Sequence, residues 1–469
     1  MRRLAQPSRL TAVAAVALPL LSLARPAALA AQQPSPSGAA APSQNPGRIA
    51  AESYNLANGL KVILAENHTA QVVAVDVWYD VGSRNERPTR TGFAHLFEHM
   101  MFQGSEHVKK GEHFQLIERA GGSLNGSTQD DRTNYFETLP SNRLNLGLWL
   151  EADRMRSLAV TQPNLDNQRE AVKEERRLRV DNQPYARTFI DGLPQAFDSA
   201  TCFAYAHSSI GSMDDLNAAK LEDVQAFFRS YYAPNNATLV ITGDFQPAEA
   251  KRLVEQYFGG IPRVPDPPPV ACTQSFNRGQ KRIRTVDNKA TLPAVAATYL
   301  IPEYKSDDTP PLELLATILG RGESSRLNVR LGRETKATVA TQAIAGLDPR
   351  RGPNFFVVFG IANQGVPADS VDRLLAAEVA RVAADGVTDT ELTKAKNAYR
   401  AGAIEDRQRA LNVAEALHTA DTFLGSYEAV NSALDRYMKV TAADLKRVAT
   451  TYLRPENSLV ITIVPEGSK

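Results

Sequence analysis

Past residue 50 the chain alternates short β-branched runs with longer segments whose apolar residues recur at helical spacing. GLKVIL, beginning at Gly59, and VVAVDVWY, ending at Tyr79, read as paired strands; RIRTV from Arg282 and PAVAATYL from Pro293 open a second stretch in the same way. Each half then turns helical. Leu221–Thr242 and Thr441–Thr462 both read as an amphipathic helix, a Pro-Asn turn and a β-branched strand. Asp223, Tyr231, Pro234 and Asn236 recur as Asp444, Tyr452, Pro455 and Asn457, each 221 residues later. A repeat that long is a duplicated domain, since solenoid units run to about 20–50 residues. Between the copies, the prolines of Ile261–Val270 favour an extended, semi-rigid connector. The boundary is therefore placed there, with a first domain over residues 51–260, a Pro-rich linker over 261–280 and a second domain over 281–469.

With 469 residues, 43% of them hydrophobic and 22% charged, the chain can bury more than one core. Lys plus Arg number 53 against 52 Asp plus Glu, so no overall field recruits nucleic acid or an anionic membrane, and binding must come from a local site. At the N-terminus, Arg2 and Arg3 precede the apolar stretch Leu10–Ala24, broken by Pro19 and followed by Ala28-Leu29-Ala30. This is the pattern of a cleavable export signal over residues 1–30; the stretch is shorter than the roughly 20 residues of a spanning helix. Residues 31–50, rich in Pro, Ser, Ala and Gly, cannot repay their ordering entropy and read as a disordered leader. The mature chain is thus expected to be periplasmic or secreted, without a stable membrane span. Cys202 and Cys272 would then meet an oxidising compartment, either as a disulfide or as two separate buried thiols.

The chemistry concentrates in His95-Leu96-Phe97-Glu98-His99. On a helix the two histidines lie about 40° apart and one turn from each other, so both imidazoles can reach one metal, while Glu98 flanks the same ion from about 60° on the other side. A lone histidine pair at this spacing is usually a solvated face. Here Phe93, Ala94, Leu96, Phe97, Met100, Met101 and Phe102 surround it, and unpaired polar groups in such a setting cost several kcal/mol each. The second half holds one histidine, His418, and cannot repeat the pair, so one site per chain follows. Catalytic zinc wants a third protein ligand and an open position. Asn167–Leu178 offers Glu170, Glu174 and Glu175; Ala171, Val172 and Leu178 put Glu175 on the apolar face, whereas Glu170 and Glu174 read as solvated ion-pair partners. His68, His107, His113 and His207 have no ligand-spaced partner in sequence and are read as structural.

These residues resemble the pitrilysin/insulinase family of inverted-motif zinc metallopeptidases. Beyond the His-x-x-Glu-His motif and a Glu 76 residues after its second His, the resemblance runs through Gly121–Thr128, Asp131–Tyr135, Ile210-Gly-Ser and Ser324–Leu327, covering nearly all of the chain after residue 50. It implies an α+β fold of two homologous α/β-sandwich domains, each a mixed or antiparallel sheet covered by helices, with the second domain non-catalytic. It also implies one Zn2+ held by His95, His99 and Glu175, Glu98 as the base that activates water, and cleavage of peptides small or unfolded enough to enter a chamber. The strand Ser123–Thr128 would pair with the substrate backbone, with Asn125 either holding a substrate carbonyl or simply forming a turn beside Gly126. One departure stands out: family members commonly supply an Arg and a Tyr from the second half, and here Thr341 occupies the place of that Tyr, with Arg333 nearby. A second family chain supplying the pair, in a heterodimer more than a homodimer, is the expected partner. Two other readings share the fold: a dedicated processing subunit that removes leader or targeting segments, and a non-enzymatic structural relative.

Overall fold

The computed structural model describes residues 48–467, so the predicted export signal and nearly all of the predicted leader lie outside the described residues. Strands β1 (Glu52–Asn55), β2 (Lys61–Glu66), β3 (Val72–Tyr79), β4 (Ser123–Thr128), β5 (Thr133–Pro140) and β6 (Ala237–Gly243) form one sheet in the order β1-β2-β6-β3-β5-β4. A second sheet takes β7 (Lys281–Asp287), β8 (Ala294–Ile301), β9 (Thr338–Ala345), β10 (Asn354–Ala362) and β11 (Ser458–Pro465) in the order β7-β11-β8-β10-β9. With β1 set aside, the two orders match strand for strand. Each begins with a parallel pair, β2 with β6 and β7 with β11, and continues antiparallel. This is the duplicated, mixed α/β architecture that the family resemblance implies.

The repeated segments show why the copies agree. Helix Leu221–Tyr231, the turn Pro234–Asn236 and β6 correspond to helix Ala442–Tyr452, the turn Pro455–Asn457 and β11. The Asn236 amide donates to Tyr231 O at 2.8 Å and to Asp80 O at 3.3 Å, while the Asn457 amide donates to Tyr452 O at 2.8 Å and to Leu300 O at 2.7 Å. In both copies one amide satisfies a carbonyl left over at a helix end and ties it to the neighbouring strand or its end.

Neither sheet is covered by its own half alone. β3, β8 and β10 are buried almost from end to end, which requires cover on both faces. Helix Ala410–Leu424 from the second half sets Ala414, Leu417 and Ala420 against Ile63, Ala65 and Val240 of the first sheet. In return, the segment 185–205 sets Phe189, Leu193 and Phe197 against Ala296, Phe355 and Ile461 of the second. The halves thus exchange a helical segment each, and the His418 ring lies flat on Trp78 with centroids 4.6 Å apart. Cys202, in the exchanged segment, is joined by a disulfide to Cys272, which lies between the last helix of the first half and β7. Among the described residues no helix is long and apolar enough to cross a membrane.

Candidate metal centre

Phe93–Met100 forms the helix that carries the inverted motif, burying Phe93, Ala94, Leu96, Phe97 and Met100. It begins at Gly92 in a left-handed conformation (φ 83°), where a Cβ would lie 2.7 Å from Ile210 O. Two of its first free N–H groups, on Gly92 and Ala94, donate to the Glu86 carboxylate at 2.8 Å each. A carboxylate there also opposes the positive end of the helix dipole. Glu86 is buried, and His207 Nε2 lies 3.1 Å from its Oε2. Sequence reading missed this support because Glu86 precedes the helix by seven residues, too far for a capping box, and its partner His207 is 121 residues away.

The carboxylate that faces the two histidines comes from helix Gln162–Arg176, capped by Thr161 and packed against the motif helix. Its last turn runs into a wider, π-type turn over Arg177–Asp181. Glu175 Oε2 faces both histidines, 3.1 Å from His99 Nε2 and 3.5 Å from His95 Nε2. Arg179 Nη1 reaches Glu175 Oε1 at 2.7 Å. Glu174 points away and pairs with Arg177 at 2.9 Å, and Glu170 with Lys173 at 2.8 Å. Glu98 accepts from Thr128 Oγ1 at 2.6 Å, across from β4. It lies against Gly126, where a Cβ would stand 3.2 Å from Glu98 Cγ.

Burial, reinforced by His99, holds the His95 imidazolium down to about 4, so His95 is neutral at physiological pH. The hydrogen bond from His99, helped by the charges of His95 and Arg179, holds the Glu175 carboxyl down to about 2. Burial works to lower His99, yet the bond to Glu175 and the charges of Glu175 and Glu98 outweigh it and raise it. Burial raises Glu98, opposed by the Thr128 hydroxyl. The donor atoms of His95, His99 and Glu175 all lie within 4.8 Å of one another. Two imidazole nitrogens and an ionised carboxylate, one imidazole already neutral, fit a divalent ion such as Zn2+ while leaving a position open.

A second constellation brings together residues that sequence spacing kept apart. His113 has no ligand-spaced partner along the chain, yet it is buried with Glu137 and Glu151, their donor atoms also within 4.8 Å of one another. Here the charge is already answered: the buried Arg154 guanidinium binds Glu151 and lies 3.4 Å from Glu137. It also stands over the rings of Tyr135 and Phe102. This is a buried ion network with a cation of its own.

Asn125 lies exposed on the edge strand β4, and its Oδ1 accepts from the neighbouring Gly126 N–H at 3.0 Å; it makes no hydrogen bond to His95, Glu98, His99 or Glu175. Arg333 is exposed and paired with Glu323 at 2.6 Å, and Thr341 sits on the edge strand β9. His107 and His68 are exposed partners of Asp153 and Asp244.

Two family models divide the chain: "Insulinase (Peptidase family M16)" matches residues 61–197 and "Peptidase M16 inactive domain" matches 218–399. The chain belongs to the M16 peptidase family. Within that family it is 29% identical over 419 residues to the zinc protease PqqE of Helicobacter pylori, covering 88% of this chain and 93% of that protein. It is 24% identical to a probable mitochondrial-processing peptidase subunit beta of Arabidopsis thaliana, covering 87% of this chain and 77% of that one. A solved protease from Helicobacter pylori superposes with a TM-score of 0.83 at 27% identity, covering 89% of this chain and all of that chain (100%). The periplasmic protease PqqL of Escherichia coli shares the fold, with a TM-score of 0.72 at 18% identity over 91% of this chain and 48% of that one. The zinc proteases among these relatives support a zinc metallopeptidase function for this M16 chain.

Proposed function

We propose that the chain is a zinc-dependent endopeptidase acting on peptides or unfolded segments, with His95, His99 and Glu175 holding the ion and Glu98 as general base. The observation that carries this reading is the convergence of His95 Nε2 and His99 Nε2 on Glu175 Oε2, with Glu98 beside them in the same largely apolar setting. Bound zinc would supply Lewis acidity, polarising a scissile carbonyl and acidifying water. Glu98 would take the proton of the attacking water and pass it to the leaving amine. The free edge of β4 offers unpaired backbone N–H and C=O groups to an extended substrate, which would lie beside the motif helix. Asn125, exposed on that strand, is available to a substrate carbonyl.

We further propose export, with cleavage near Ala30, as the destination that suits the basic and apolar N-terminus and the disulfide between Cys202 and Cys272. A second family chain is the proposed partner: Arg333 is engaged by Glu323 and Thr341 carries no phenol, so an Arg/Tyr pair for the substrate would come from elsewhere.

Hydrolysis of a quenched fluorescent peptide library by the mature chain, alone and with candidate family partners, tests the reading beside Glu98→Gln. Cleavage by the wild type that disappears in Glu98→Gln while zinc stays bound is the expected result. A wild-type chain that holds no zinc would overturn it.

A further inference from the structure

We propose that Thr128 is a positioning residue for Glu98, and that the second half of the chain holds Thr128 in place through the hairpin that follows it. This rests on the reading of Glu98 as the base. Thr128 Oγ1 donates to Glu98 Oε2 at 2.6 Å, and Oε1 accepts no hydrogen bond from the described residues. One carboxylate oxygen is therefore tethered and the other left for a proton. The Glu98 stem is confined as well, because Gly126 beneath it leaves space for Cγ but none to spare: a Cβ there would meet Glu98 Cγ at 3.2 Å and Tyr135 Cδ1 at 3.1 Å. A base held this way has fewer orientations to lose when it meets its water. Thr128 itself neither gains nor loses a proton, since the hydroxyl stays a donor while Oε1 of Glu98 accepts the proton and later releases it.

Thr128 ends β4, opposite Thr133 of β5, and the hairpin between them is gripped from outside the first sheet. Gln129 Nε2 donates to Asp348 Oδ1 at 2.6 Å, Arg350 pairs with Asp130, and the Arg351 N–H donates to Asp131 Oδ2 at 3.2 Å. Arg84, in the loop ahead of the motif helix, holds the other oxygen of Asp131 at 2.9 Å. Asp348, Arg350 and Arg351 lie between β9 and β10, in the second half, where no candidate metal cluster is found among the described residues. Asp130, Asp131 and Arg350 are buried, so this clamp is screened little by salt.

The test uses the zinc-loaded full chain and two variants, Thr128→Val, which keeps the shape, and Thr128→Ser, which keeps the hydroxyl. Thr128→Val is expected to lower kcat by about 10–100-fold with KM and zinc content unchanged, and Thr128→Ser to restore most of it. A crystal structure of Thr128→Val is expected to show the Glu98 carboxylate turned away from its wild-type position; Thr128→Ala carries the same test should Thr128→Val fail to fold. Wild-type cleavage matched by Thr128→Val overturns the positioning role alone. Should the wild type bind zinc and cleave nothing, either alone or with the candidate family partners, the proposed function falls, and an unmoved Glu98 in the variant crystal overturns the positioning role separately.

Discussion

Gly92 and Gly211 meet backbone to backbone, both with positive φ (83° and 74°), and a Cβ on Gly211 would lie 2.5 Å from Gly92 Cα. The first of them starts the motif helix, so the loop carrying Gly211 sets where His95 and His99 stand. Arg176, next to Glu175, donates to Gly211 O at 2.8 Å, which links the same loop to the proposed third ligand. Gly211→Ala is expected to cost at least the roughly 1–3 kcal/mol of a non-glycine residue in this backbone region, and to weaken zinc binding with it. Thermal unfolding and zinc titration of the variant check both.

Glu175 and Glu174 are adjacent in sequence and opposite in environment, which makes them a matched pair. Glu175→Gln is expected to lower zinc affinity by more than the roughly 10–100-fold that loss of a ligand's outer partner costs. Glu174→Gln removes an exposed pairing with Arg177 and is expected to leave the affinity unchanged. Equal affinities in the two variants would remove Glu175 from the ligand set.

His418 is fully buried against Trp78, and burial, reinforced by Arg132, holds its imidazolium down to about 3, opposed by the bond to Asp76 O. Asp76, Glu415 and Arg132 form its charged surroundings. With the folded value below the unfolded 6.5, unfolding takes up a proton as the pH falls below about 6.5, so stability is lost progressively from there down to about 3. The span corresponds to a few kcal/mol, on the order of 1.4 kcal/mol for each pH unit. Denaturant unfolding of His418→Phe between pH 4 and 7 should show a shallower acid limb than the wild type, though lower stability at pH 7.

The Cys202–Cys272 bridge closes a loop across a sequence separation of 70 residues. In the chain-entropy account such a loop is worth about 4 kcal/mol, acting on the unfolded state. The double variant Cys202→Ser, Cys272→Ser is expected to lose up to that stability in denaturant titration while binding zinc as before, because the bridge lies in the segment packed on the second sheet.

Helical and strand periods act over a few residues, so the sequence by itself determined the histidines one turn apart, the separation of Glu175 from the solvated Glu174, and the two copies of the helix–turn–strand unit 221 residues apart. Leu178, read with Ala171 and Val172 as one apolar face, is instead exposed, because the helix gives way to the π-type turn at Arg177. The matching strand orders of the two sheets follow from that duplication. Only the tertiary structure decided what depends on contacts between distant segments. The exchange of helical segments was hidden because an apolar helix face does not encode whose sheet it will cover. Glu86 and Thr128 were hidden for the same reason: each bonds a helix that its own local spacing does not reach, across 8 and 30 residues for the bonds to Ala94 and Glu98. Arg154, Glu137 and Glu151 enclose His113 only because β5 and two helices close around it, and chain spacing carries no record of that closure.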